Sequence, residues 1–324
     1  MKRIMIILLC SIMLPFTGNA QKPRIGICAY AGRDTFILSM LSELRLEAGD
    51  SAELEIVSAD GDQNRQNDQV QQFIYSGVDV LAVNPVDRTS AVYLIELAKM
   101  HNIPIILFNR EPLREDLDSW EKAYYVGIDP RQQGRLQAML ALDYFDLHPE
   151  QDLNGDGLIQ YVLLRGEAGH QDSELRSSAS QKALNENGMR AEKLAEESAN
   201  WEKSQGQERM AVLLNTVGKR IECVISNNDD MALGAIDALK AAGYFGTGVS
   251  IPVIGVDATA SALEMIVQGA LYGTVQNNAQ AQAQAIIRLA LLLARGDAVT
   301  ASSFPYPLDN KVVYIESTMI KKDD

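Results

Sequence analysis

DLNGDGLIQYVLLRGEAGHQDSELR, residues 152–176, places a possible cation loop, a buried strand and a cluster of polar side chains in direct succession. The central IQYVLL is a short apolar run bounded by turn residues, as expected of a strand buried on both faces of a parallel sheet. Before it, oxygen side chains stand at alternate positions, Asp152, Asn154 and Asp156. Gly157 sits at position six, where an EF-hand loop turns sharply; Leu158 would offer a backbone carbonyl at seven, and Gln160 stands at nine. Position twelve departs from the pattern, because Leu163 replaces the bidentate Glu. A solvated acidic turn would share this composition. After the strand, Asp172 and Arg176 are four apart, on one face of a helix. A surface ion pair and a hydrogen-bonded loop histidine are the plain alternatives for this group. His170 finds no zinc-ligand spacing with His101 or His148.

Working outward, short β-rich runs alternate with helical patterns on both sides of this segment. RIGICAY, LEIVSAD, VDVLAVNPVD and IPIILFN form a first series; IQYVLLRG, ECVISN, PVIGVD and LYGTVQN form a second. The alternation predicts an α/β protein with two doubly wound parallel-sheet lobes, and 324 residues suit two domains. Strands of the first series end in Asp34, Asp60, Asn84 and Asn109. In open α/β sheets ligands sit beyond such carboxyl ends. No G-x-G-x-x-G or G-x-x-x-x-G-K-[ST] phosphate cradle occurs, which argues against dinucleotide binding and phosphoryl transfer. A net charge of −14 argues against nucleic acid and anionic membrane surfaces as partners.

Residues 1–20 have the secretory pattern. Lys2 and Arg3 precede the apolar run IMIILLCSIML, and Gly18-Asn19-Ala20 is a small-residue exit, so cleavage is expected after Ala20. The run is shorter than the roughly twenty residues that span a bilayer. Cys28 and Cys223 then remain, each in an apolar strand pattern, and are expected as unpaired core residues.

The combination resembles the periplasmic galactose/glucose-binding protein family. Besides 152–176, the resemblance rests on RIGICAYAGRDTF at 24–36, QNDQ at 66–69, FNREP at 108–112, KAYYVG at 122–127, Trp201, ISNNDDMALGAIDALK at 225–240, IPVIGVDA at 251–258 and GALYGTVQN at 269–277. It implies a type I periplasmic binding protein fold, two lobes joined by a hinge. A first lobe of residues 21–128 and 277–313 would face a second of 129–276 and 314–324. It further implies that Phe36 and Trp201 cover the apolar faces of a pyranose. Asp34, Asn109, His170, Asp172, Arg176, Asn228, Asp257 and Asn277 would grip its hydroxyls. Each has a plain alternative: Phe36 and Trp201 as core aromatics, Asn109 and Asn228 as caps, Asp257 as the N-cap of the next helix. The resemblance supplies Glu222 as the missing ligand for structural Ca²⁺, beside Asp152, Asn154, Asp156, Leu158 and Gln160. Arg110 stands where the family has Lys, and Trp120 where it has Tyr.

What the resemblance implies is a periplasmic, monomeric receptor, not an enzyme, that binds D-galactose or D-glucose and delivers it to the membrane permease of an ABC importer. A chemoreceptor is a further candidate partner. The competing expectations are another monosaccharide, a secreted glycosidase using Asp34, Asp172 or Asp257, and the sensor core of a repressor, which the export signal opposes.

Overall fold

The computed structural model describes residues 21–186, 190–245 and 251–322. The expected leader, 1–20, and Asn187, the expected end of one helix, lie outside them. The chain runs through β1 (Arg24–Ala29), α1 (Thr35–Ala48), β2 (Glu53–Ser58), α2 (Gln63–Ser76), β3 (Val80–Val83), α3 (Ala91–Met100), β4 (Ile105–Phe108), α4 (Arg114–Asp118) and β5 (Ala123–Gly127). After α5 (Pro130–Leu147) come β6 (Leu158–Arg165), α6 (Gln171–Glu186), β7 (Arg190–Ser198), α7 (Lys203–Thr216), β8 (Cys223–Ser226), α8 (Asp229–Ala241) and β9 (Val253–Asp257). The described elements close with α9 (Ala260–Val267), β10 (Gly273–Gln276), α10 (Ala279–Arg295), β11 (Val312–Tyr314) and β12 (Met319–Lys321).

Two six-stranded sheets result, ordered β11-β5-β4-β3-β1-β2 and β12-β10-β9-β8-β6-β7. Five consecutive strands of each half follow one winding pattern, and a late strand closes each edge. β11 adds parallel to β5, whereas β12 adds antiparallel to β10. The alternation of β1 explains why both sheet faces are covered: Ile25, Ile27 and Ala29 enter one core, Cys28 the other. In β6, Val162 and Leu164 face one core while Ile159, Tyr161 and Leu163 face the other. Cys28 and Cys223 are buried free thiols, and Trp120 is a core residue of the first lobe. Among the described residues no helix is long and apolar enough to cross a membrane.

Several features depart from the strand pattern expected of the sequence: β5, β11 and β12 lie outside both expected series, β11 carries the chain past the expected crossing, and β7 is a further strand. Tyr314 pairs with Gly127 inside the first sheet, one residue past the expected crossing after Val313. β7 was absent from the expected series, because RAEKLAEES has charges where an interior strand has apolar residues. As the outer strand of its sheet, with a register shift opposite Tyr161 and Val162, it tolerates them.

Candidate functional site

The winding reverses beside β1 in the first sheet and beside β6 in the second, and the carboxyl ends of the strands there and nearby converge between the lobes. All ten side chains expected to meet a sugar line one cavity, with Tyr30 and Ile37 completing the wall. Phe36 is 8% exposed, belongs to the first-lobe core and lines the cavity, so packing and site are one role.

From the first lobe, Asp34 caps α1: its Oδ1 accepts from the Ile37 amide at 2.9 Å, and its Oδ2 accepts from the Tyr30 hydroxyl at 2.6 Å. Both bonds fix the carboxylate at the cavity wall. Asn109 follows β4 with φ of 61°, and its Oδ1 accepts from Asn84 Nδ2 at 3.3 Å. Such a left-handed backbone at a non-glycine residue costs on the order of 1 kcal/mol and recurs where a side chain must be aimed.

The second lobe supplies the larger share. The Asp172 amide donates to His170 Nδ1 at 3.1 Å, leaving the neutral ring's proton on Nε2, free for a ligand. Burial, reinforced by Arg110, Arg176 and Arg88, holds the His170 pKa down at about 2. Burial pushes the Asp172 carboxyl up to about 6, although Arg176 and Arg110 oppose the shift. Asp172 and Arg176 are not a surface pair, since both are buried. Arg176 donates from Nε to Gln133 Oε1 at 3.0 Å and from Nη1 to the Asn227 carbonyl at 2.6 Å. Asp257 is raised well above the carboxylate range by burial and by the neighbouring Asp229. It accepts from Asn277 Nδ2 at 3.2 Å, while Asn277 Oδ1 accepts from Gln282 at 2.7 Å. Asp257 does not cap the next helix; Thr259 does.

Trp201 is held by contacts that no local pattern announces. Its ring lies so close to Gly166 that a Cβ there would fall 2.1 Å from Trp201 Cζ2. Asn228 caps α8 with Oδ1, and its Nδ2 donates to the Trp201 carbonyl at 3.0 Å, so the expected capping role and the cavity role coexist. The His170 ring meets Trp201 edge-on, with centroids 5.2 Å apart.

Sequence reasoning missed Tyr30, Gly166, Gln133 and Asn227, and left Arg110 without a role. Arg110 is 8% exposed, stacks on the Tyr30 ring at 4.0 Å and donates to Glu167 of the other lobe at 3.0 Å. Gln171 to Glu111 at 3.2 Å and Thr35 to Asp230 at 2.6 Å also bridge the lobes.

At the opposite end of β6, Gly155 and Gly157 have φ of 72° and 74°, values that suit glycine in a tight loop. Asp152 Oδ1 accepts from the Gly155 amide at 2.8 Å, and Asp156 Oδ1 from the Leu158 amide at 2.8 Å. β6 and β8 are parallel neighbours, which brings Glu222 to the loop. Its Oε1 accepts from the Leu153 amide at 2.7 Å and its Oε2 from the Gln160 amide at 3.0 Å. Gln160 Oε1 is a buried oxygen without a partner, a donor atom suited to a cation. Among the described residues no three Asp, Glu, His or Cys side chains converge into a metal cluster by themselves. A cation here would therefore depend on the amide and carbonyl oxygens as well.

Residues 25–298 match the family of the periplasmic binding protein domain. The chain belongs to this family. A periplasmic binding protein is a two-lobed receptor rather than an enzyme, and the buried Asp172 and the half-buried Asp257 line the cavity between its lobes. The chain is 38% identical over 308 residues to the D-galactose/methyl-galactoside binding periplasmic protein of Haemophilus influenzae, covering 94% of this chain and 91% of that one. It is similar to a solved ABC transporter solute binding protein of Bacillus halodurans with bound myo-inositol: 30% identity, TM-score 0.77, 94% and 96% coverage. A solute binding protein of Actinobacillus succinogenes with bound D-allose shares the fold at 24% identity, TM-score 0.79, and 93% and 98% coverage.

Proposed function

We propose that this periplasmic binding protein closes its two lobes on one D-galactose or D-glucose and delivers it to the membrane permease of an ABC importer. One observation carries the assignment: ten side chains from both lobes, polar and aromatic together, line a single cavity. Carboxylate, amide and guanidinium groups each offer two hydrogen-bonding positions, and a sugar hydroxyl both donates and accepts. Phe36 and Trp201 add flat apolar surface for the sugar's C–H groups. Hinge closure around a ligand is the characteristic motion of periplasmic binding proteins as a class. Residues 1–20 act as the export signal, removed after Ala20.

The loop before β6 holds Ca²⁺ in a structural role, through Asp152, Asn154, Asp156, the Leu158 carbonyl, Gln160 and Glu222. Support comes from the unpartnered Gln160 oxygen and from Glu222 bridging the amides at both ends of the loop. The ion would offset the mutual repulsion of three nearby carboxylates.

Isothermal titration with D-galactose, D-glucose, D-ribose and myo-inositol tests the assignment. One site per chain for a hexose, with no product formed, is expected. Heat with ribose or myo-inositol but with neither hexose would replace it by the second reading, another monosaccharide or a cyclitol. That reading draws on the myo-inositol held by the Bacillus halodurans relative.

A further inference from the structure

Beyond His170 and Asp172 the sugar cavity adjoins a second cavity of about 320 Å³, walled by both lobes. None of the side chains expected to hold the hexose accounts for it, apart from the two it shares. Its other polar walls are Asp87, Arg88, Arg110 and Glu111 from the first lobe and Glu167 and Gln171 from the second. Two buried atoms on these walls, Arg110 Nε and Gln171 Oε1, have no hydrogen-bond partner. Both atoms are closed off from solvent, so a hydroxylated ligand reaches them only when the side chains turn toward the cavity. The volume lies at the lower end of ligand pockets, which begin at about 300 Å³.

Charge selects the class of group. Arg88 and Arg110 face four carboxylates, those of Asp87, Glu111, Glu167 and Asp172. A phosphate or carboxylate would meet excess negative charge, whereas neutral hydroxyls can donate to these oxygens and accept from the guanidinium groups. We infer that this cavity is a second subsite, which accepts a neutral polyhydroxylated group linked to the bound hexose, so that the receptor takes disaccharides as well as free hexose. This rests on the hexose assignment above.

The test titrates wild-type protein, Arg88→Leu and Gln171→Leu with D-galactose, D-glucose, lactose and melibiose. The two disaccharides offer their second ring from C1, C4 or C6 of whichever ring occupies the cleft. Wild type should bind at least one disaccharide. Gln171→Leu and Arg88→Leu should each lower the ratio of disaccharide to free-hexose affinity about tenfold, and Arg88→Leu should change free-hexose affinity less than twofold. Hexose binding without disaccharide binding would overturn the subsite and leave the hexose assignment standing. Equal disaccharide affinity in all three proteins would also overturn it. No heat with any of the four sugars would overturn both.

Discussion

The two ends of β6 carry polar clusters of opposite character. The loop at its start is exposed, and its carboxylates are satisfied by neighbouring amides. At its end Asp172 and Arg176 are buried, and the polar groups of the cavity are tied to distant elements: Arg176 to Gln133 of α5, and, at the ends of neighbouring strands, Asn228 to Trp201 and Asp257 to Asn277. A site closed by local bonds can lose its ligand and keep its shape, whereas a site assembled across elements must be held ready by packing. Changes at the start should therefore be read in stability, and changes at the end in affinity.

The largest separation of the two should come from Trp201→Ala. Truncating an aromatic anchor costs about 2–4 kcal/mol, so hexose affinity should fall roughly 30- to 1,000-fold, with Ca²⁺ affinity unchanged by titration. Gly166→Ala sharpens the same point without touching the ring chemically. Its Cβ cannot share space with Trp201 Cζ2, and hexose affinity should drop about tenfold as the ring is displaced. A Gly166→Ala protein with wild-type affinity would show that the ring position is immaterial.

Glu222→Ala acts at the other end. It should weaken Ca²⁺ binding and lower Tm by roughly 5 °C, in line with about 2 kcal/mol for a lobe of this size, while hexose affinity shifts less than threefold. Chelator should lower the wild-type Tm and leave the variant's alone. The smallest effect concerns pH. His170 is held neutral in the fold with its pKa near 2, so between about 6.5 and 2 the unfolded chain binds a proton that the native chain refuses. Acidification then costs native stability. Asp172, raised to about 6, acts in the opposite sense: its penalty is full above about 6 and fades as pH falls toward the ordinary Asp value. His170→Gln should therefore gain about 1 kcal/mol relative to wild type as pH falls from 6.5 to 5.5, seen in urea unfolding. Parallel pH profiles for the two proteins would contradict the buried neutral imidazole.

The α/β alternation was legible because buried parallel strands leave continuous apolar runs, as in RIGICA and LIQYVLLR. β7 escaped because an outer strand is free to be charged. In the site, residues at strand ends could be read from their position and their resemblance to a family pattern. Gly166, Gln133 and Asn227 could not, since each acts through a neighbour far away in sequence, and Tyr30 could not because the end of an apolar strand run does not show that its hydroxyl reaches Asp34 and its ring meets Arg110. Gly166 looks like any turn glycine until Trp201 is laid against it. Of the expected capping alternatives, Asn228 does cap a helix and Asp257 does not, while Asp34, expected only at the sugar, caps α1; in Asn228 and Asp34 the capping bond holds the side chain at the cavity wall.

We propose that the two ends of β6 divide labour between ion and sugar. This division is tested most directly by titrating D-galactose and D-glucose into the protein below its melting temperature, with Ca²⁺ and again with excess chelator. One hexose site per chain is expected in both conditions, with affinities within about threefold, and a lower Tm in chelator. Loss of hexose binding on chelation of a protein that remains folded would contradict it.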